Sequence, residues 1–295
     1  MKVAVIAHQG KSFGGGLPEL RTLLDRRGVH DLRWREVPKS RKAPKEVRKA
    51  LEWGAQLIFV WGGDGMAQRS IDALDGADTP IALLPAGTAN LLASSLGIPK
   101  DLEGAVDVGL RGDRKRIDVG RINGETFAVM AGAGLDARMI ADADGGLKDR
   151  LGRFSYIWTG LKNLRAEPFE ATVTVEGTTW YTGPANCVIA GNVGKLFAGL
   201  ELFDDSHEDD GLLELGVLTA TGALATMRTM ARVAVTTVDD GPHARTTKAR
   251  KMKIRFDRKV LYQVDGGDRD MVKTLRITVV PGGLVVCVPP PAASP

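Results

Sequence analysis

Val60-Trp61-Gly62-Gly63-Asp64-Gly65 follows the apolar run Leu57-Ile58-Phe59 and precedes a helical pattern from Met66 to Leu74. The order is strand, glycine-rich turn, helix. Three glycines let the backbone approach a ligand where a Cβ would collide. The helix beyond the turn presents free N–H groups and the positive end of its dipole, which together favour an anion. Asp64 places a carboxylate inside that anion site. A carboxylate beside a phosphate repels it unless a cation lies between, which points to Mg²⁺. Taken alone, Gly-Gly-Asp-Gly is equally compatible with a tight βα connection.

Moving outward, residues 80–84 read as a buried strand that runs into Pro85-Ala86-Gly87-Thr88-Ala89-Asn90. A helix over 91–96 follows, closed by Gly97, with Thr88 as its expected N-cap. Asp101 is suited to cap the next helix, to Leu110. On the other side, residues 2–7 are apolar and β-branched and form a first strand. That run is too short for the apolar region of a signal peptide. His8-Gln9-Gly10-Lys11-Ser12-Phe13-Gly14-Gly15-Gly16 comes next. Its Gly-Lys-Ser is not a P-loop, because Val5 stands where that motif needs a glycine. A simpler glycine-rich phosphate loop stays open. Pro18 opens a helix to Arg27, residues 32–37 form a second strand, and 44–53 a helix with a basic face. Strands alternating with helices through about residue 115 predict a doubly wound parallel sheet. Ligands on such sheets sit at the carboxyl ends of the strands, where both glycine turns lie.

After Arg116 the pattern changes. Strands are expected over 117–119, 126–130, 171–175, 180–181, 187–190, 212–218, 252–256, 260–264, 275–280 and 284–288. Helices are expected only over 147–164 and 223–233. The second half is therefore an antiparallel β-sandwich. The domains are residues 1–115, α/β, and 116–288, β-sandwich, with a disordered tail over 289–295. Gly132-Ala133-Gly134-Leu135-Asp136-Ala137 matches a dinucleotide-binding pattern, but no βαβ unit follows it, so that reading is set aside.

Composition narrows the class. Apolar residues make up 43% of the chain, enough for a full core. Two cysteines, Cys187 and Cys287, argue against a disulfide framework and fit a reducing cytoplasm. No apolar run approaches the roughly 18 residues of a membrane span. Forty basic against 36 acidic residues leave the chain only mildly positive, and no nucleic-acid-binding module is present. The basic residues cluster over 41–49, 111–116 and 245–259.

Several pieces occur in a fixed order: Gly62-Gly63-Asp64-Gly65, Leu84-Pro85-Ala86-Gly87-Thr88-Ala89-Asn90, Ile117-Asp118-Val119-Gly120, Ala131-Gly132-Ala133-Gly134-Leu135-Asp136, Asp209-Asp210-Gly211-Leu212-Leu213-Glu214 and Gln263-Val264-Asp265-Gly266. This set resembles the diacylglycerol kinase catalytic family, which includes bacterial lipid kinases, sphingosine kinases and ceramide kinases. NAD kinases share Gly-Gly-Asp-Gly and a two-domain plan; the Pro-x-Gly-Thr-x-Asn block favours the lipid kinases. The resemblance implies an N-terminal α/β domain and a C-terminal β-sandwich enclosing a nucleotide cleft. It implies ATP and Mg²⁺ as cofactors and a lipid alcohol, diacylglycerol or a relative, as phosphate acceptor. Gly62, Gly63, Asp64, Gly65, Gly87, Thr88 and Asn90 would lie against the nucleotide, with Lys11 neutralising phosphate charge. Asp205, Asp209 and Asp210, with Asp64, would organise the metal. Asp265 and Asp268 would be catalytic.

The chain departs from the family at four positions. The family's general base is the Glu of Asp-Gly-Glu; here that position is Gly267, and Asp268 is the substitute one residue on. Met66, Arg69 and Leu91 replace the family's usual threonine, glutamate and aspartate. A nucleotide- or lipid-binding member without turnover, and a NAD kinase-like enzyme, are the competing readings. The basic clusters are either solvated faces or a means of peripheral contact with an anionic membrane surface. The aromatic stretch over 154–161 is either core helix or acyl-chain lining. Monomer and homodimer both stay open.

Overall fold

The computed structural model describes residues 1–134, 168–193, 203, 206–219 and 244–291. The expected helices over 147–164 and 223–233, the stretch over 154–161, residues 135–137, Asp205 and positions 292–295 of the tail lie outside the described residues. Two compact units are present: Met1–Ile117 with Gly282–Pro295, and Asp118–Pro281. No helix among the described residues is long and apolar enough to cross a membrane.

The first unit is a parallel α/β layer structure. Its elements are β1 (Val3–His8), α1 (Gly16–Arg26), β2 (Leu32–Val37), α2 (Ala43–Glu52), β3 (Leu57–Gly62), α3 (Asp64–Leu74), β4 (Ile81–Pro85), α4 (Leu91–Ser95) and α5 (Leu102–Arg111). The strand order is β4-β3-β1-β2, every pair parallel. β1 and β3 are continuous apolar runs because helices cover both faces of a parallel sheet. β2 sits at the edge and is half exposed, which suits its alternating Arg33 and Arg35. α1 and α5 are tied together by Arg27, which donates to Asp107 and Glu103, both at 2.8 Å. The Arg27 hydrogen bond holds the Asp107 carboxyl below the usual carboxylate range.

The second unit is antiparallel. Its strands are β5 (Asp113–Ile122), which enters from the first unit, β6 (Glu125–Phe127), β7 (Met130–Ala133), β8 (Phe169–Val175), β9 (Thr178–Ala185), β10 (Cys187–Gly191), β11 (Leu213–Leu218), β12 (Ala244–Ala249), β13 (Lys251–Val264) and β14 (Gly267–Val288). The order is β12-β11-β10-β7-β13-β14, with β8 also on β13, β9 on β8, and β5 on β14 and β6. Phe169 and Phe256 meet edge to face at 5.0 Å within a core of Val173, Ile254, Leu275 and Ile277. Both cysteines are free and buried; burial pushes the Cys187 thiol up to about 12.

Three sequence expectations shift. The strand expected over 126–130 is broken at Ala128 and Val129, because their N–H groups turn to the Asp265 carboxylate. The strands expected over 252–256 and 260–264 are one bulged strand, and those over 275–280 and 284–288 are one strand of 22 residues. From Gly282 that strand rejoins the first unit, and Val286 pairs in parallel with Ile81. The edge strand β12 was not anticipated, since Ala-Arg-Thr-Thr-Lys-Ala offers little apolar alternation.

Candidate active site

In the first unit the two glycine turns are locked to one another. The Gly62 carbonyl accepts from the Ala86 N–H at 3.0 Å. A Cβ on Gly87 would stand 2.3 Å from the Gly63 Cα, so the backbones touch where side chains would be. The Asp64 carboxylate spans the gap: Asn90 N–H donates to Oδ2 at 2.9 Å and Leu91 N–H to Oδ1 at 2.5 Å. Burial pushes this carboxyl above its ordinary range, and the backbone donors oppose that. Asp64 thus caps α4 from a neighbouring element, a carboxylate at a helix N-terminus.

This corrects the expected role of Thr88. The N-cap of α4 is Asn90, in the left-handed region at φ 48, and Thr88 lies exposed two residues before it. Asn90 instead braces the loop: its Oδ1 accepts from Gly87 N–H and its Nδ2 donates to the Gly87 and Pro85 carbonyls. Gly65 is exposed at the start of α3. A Cβ there would meet only Ser40 Oγ, at 3.9 Å. Lys11 is exposed in a loop anchored by Trp61 Nε1, which donates to the Lys11 carbonyl at 3.1 Å. Phe13 packs edge-on against Trp61. Two family departures, Met66 and Leu91, are buried and fill the core beside these turns.

In the second unit the Asp-Gly motif is a hairpin turn. Val264 pairs with Gly267, and the two residues between, Asp265 and Gly266, have φ 44 and 75. Two left-handed residues match the twist of an antiparallel hairpin, and Asp-Gly is a preferred pair for it. The Asp265 side chain then fastens the turn: it accepts from the N–H groups of Ala128, Val129 and Met130 at 2.9–3.0 Å. Beyond the turn, Gly267 presents no side chain. Asp268 is exposed, and its Oδ1 accepts from Nε2 of buried Gln263, its cross-strand partner, at 2.6 Å.

In the same unit, Asp118, the segment 208–211 and Asn192 are joined by hydrogen bonds. Asp118 is buried; its Oδ2 accepts from Gly211 N–H at 2.6 Å, and its own N–H donates to the Glu208 carbonyl. Asn192 donates to the carbonyls of Asp118 and Ala128. Asp209 is exposed. Asp210 accepts from Leu212 N–H and stands 3.7 Å from Lys248 Nζ. Glu214 is 3% exposed, and neither of its oxygens is satisfied by a well-aligned donor among the described residues; Lys248 Nζ is again 3.7 Å away. Burial pushes the Glu214 carboxyl up; nearby Ser206 and Lys248 oppose this and Asp210 adds to it.

These contacts bear on magnesium. Among the described residues no three His, Cys, Asp or Glu side chains converge as a metal site would require. Both Asp64 oxygens are given to backbone N–H groups, and Asp210 to Leu212 and Lys248. The described residues therefore do not form a ready-made magnesium site. Asn192, Gln263, Asp118 and Glu214 are the residues whose roles sequence reading missed. Three of them lay inside quoted motifs, but only their partners reveal what they do.

Comparison with known proteins agrees with the two-domain fold. Residues 3–122 match the family described as "Diacylglycerol kinase catalytic domain", and residues 129–288 match "YegS C-terminal NAD kinase beta sandwich-like domain". A relative from Enterobacter sp. (strain 638) named "Probable lipid kinase YegS-like" is 29% identical over 84% of this chain and 83% of its own length. "Probable lipid kinase YegS" of Salmonella paratyphi A is 29% identical over 93% of this chain and 91% of its own. The crystal structure of a diacylglycerol kinase from Bacillus anthracis str. Sterne superposes with TM-score 0.75 at 21% identity, covering 99% of this chain and 98% of that one. A NAD kinase from Archaeoglobus fulgidus in complex with ATP shares the fold more distantly, with TM-score 0.53 at 12% identity over 97% and 93% of the two chains.

Proposed function

The chain belongs to the diacylglycerol kinase catalytic-domain family, with relatives named "Probable lipid kinase", and from that premise we propose the reaction it carries out. It transfers the γ-phosphate of ATP, taken up as the magnesium complex, to the hydroxyl of diacylglycerol or a related lipid alcohol. The observation that carries this reading is Asp268: an exposed carboxylate oriented by buried Gln263, on a hairpin whose turn is fastened by Asp265. Phosphoryl transfer needs alignment and charge neutralisation more than covalent chemistry. The acceptor hydroxyl still needs a proton acceptor. Asp268 takes the hydroxyl proton as the lipid oxygen bonds to the γ-phosphorus and the bond to the β-phosphate oxygen breaks, releasing ADP. Asp265 is a positioning residue. Backbone N–H groups at the start of α3, and Lys11 on its exposed loop, neutralise phosphate charge. The protein works in the cytoplasm, at an anionic membrane surface.

One observation favours a second reading. Gly267 stands where the family carries its carboxylate, so a nucleotide- or lipid-binding member without turnover remains the competitor. The test is steady-state lipid phosphorylation by wild type and Asp268→Asn, with ATP affinity measured separately. The proposed role predicts a fall in rate of about 100-fold or more with ATP affinity nearly unchanged. An unaltered rate would place the base elsewhere, and ATP binding without turnover in wild type would favour the second reading.

A further inference from the structure

The long hairpin of β13 and β14 carries an apolar pair that the core does not use. Leu261 and Met271 are cross-strand partners, and they are 42% and 56% exposed. Among the described residues, the other exposed large hydrophobic is Met1 at the N-terminus. Single exposed apolar residues are ordinary, but two facing each other on paired strands form one continuous apolar spot. Exposed basic residues lie near it on both strands. Lys273 is exposed two residues beyond Met271, on the same side of the strand by alternation. Arg258 and Lys259 are exposed in the bulge between Arg255 and Val260. Over 251–276 the hairpin holds eight basic and four acidic residues. One of the acidic four, Asp265, is buried under three N–H donors. Asp257 accepts from the Glu170 N–H and Asp268 from Gln263, leaving Asp270 as the acidic neighbour in the sequence beside Met271.

We propose that this hairpin is the membrane-docking element, with Leu261 and Met271 entering the headgroup boundary of an anionic bilayer and Lys259 and Lys273 contacting its phosphates. Charge complementarity selects the occupant. A protein surface of ordinary composition has no use for a cationic rim around so small an apolar spot. An anionic leaflet attracts each basic residue near it and accepts shallow apolar insertion. The same hairpin presents Asp268, so docking brings the proton acceptor to the depth at which a lipid hydroxyl is found. The inference deepens the lipid-kinase reading, but docking itself does not depend on turnover.

The test is flotation with vesicles of phosphatidylcholine alone and of phosphatidylcholine with phosphatidylglycerol. Wild type, Leu261→Ser/Met271→Ser, Lys259→Glu/Lys273→Glu and a control, Lys45→Glu/Arg48→Glu on α2, are compared. Unchanged melting temperatures confirm folding, since all the substituted positions lie outside the core. Wild type should bind the anionic vesicles, more weakly as salt rises. Each hairpin pair should lose about tenfold or more in partitioning, and the α2 pair should stay within about twofold. Phosphorylation of a lipid presented in detergent micelles should survive the hairpin changes while that of vesicle-embedded lipid falls. If wild type ignores anionic vesicles, if the hairpin pairs float like wild type, or if the α2 pair loses as much, the proposal is overturned. It is equally overturned if the serine pair only converts a dimer to a monomer. Docking without any lipid phosphorylation would retain the surface and remove the kinase reading.

Discussion

Asp64 shows how one carboxylate can serve two neighbours. Its oxygens hold the first N–H groups of α4, and its own backbone begins α3. Asp64→Asn leaves one carbonyl oxygen for two donors. It should cost about 1–2 kcal/mol, read as a lowered urea midpoint at unchanged slope. A variant as stable as wild type would contradict the capping role. Glu214 makes a prediction in pH. A carboxyl whose folded pKa lies above its unfolded value keeps its proton longer in the native state. Stability is then greatest below the ordinary carboxylate pKa of about 4.3 and falls as pH rises toward the raised folded value. Glu214→Gln removes this contribution. By calorimetry its melting temperature should gain on wild type as pH rises from about 4, then run parallel once Glu214 is ionised. A constant offset at every pH would show that Glu214 is not held protonated.

At the scale of elements, the glycine turns separate structural from ligand-facing glycines. Gly87→Ala drives a Cβ to 2.3 Å from the Gly63 Cα and 2.7 Å from Asn90 Oδ1. Backbone cannot yield there, so denaturant melts should show a loss of about 2 kcal/mol or more. Gly65→Ala meets nothing nearer than Ser40 Oγ at 3.9 Å and sits within α3. It should stabilise the free protein by about 0.5–1 kcal/mol, yet weaken ATP binding if phosphate lies over that turn. Calorimetric titration reads the second effect, and unchanged ATP affinity would move the phosphates away from Gly65. These turns were legible in the sequence because strand, glycine run and helix follow one another locally. The cap of α4 was not. Thr88 has the right side chain for an N-cap, but the true cap depends on Asp64, 26 residues upstream from Asn90. Long-range pairing likewise hid the break at Ala128 and Val129, whose partner Asp265 lies far along the chain.

For the whole molecule, alternation of strands and helices announced the parallel unit, and the later run of short β-rich segments announced the antiparallel one. The return of β14 to the first unit was invisible, since Leu284–Val288 reads as an apolar strand wherever it pairs. The ordered motifs pointed to a family, and the structure shows what residues of three of them do: Asp118 accepts from Gly211 N–H, Asn192, outside the motifs, donates to the carbonyls of Asp118 and Ala128, and Asp265 fastens the strand break at Ala128 and Val129. What composition and motif could not supply is the chemistry at Gly267, for which the proposed proton acceptor is Asp268. The most direct measurement is incubation of the purified protein with γ-labelled ATP, magnesium, a total lipid extract and, in parallel, NAD. A labelled, organic-soluble lipid phosphate that forms with wild type and is lost with Asp268→Asn is the predicted result. No labelled lipid from any class, or label appearing in NADP instead, would contradict it.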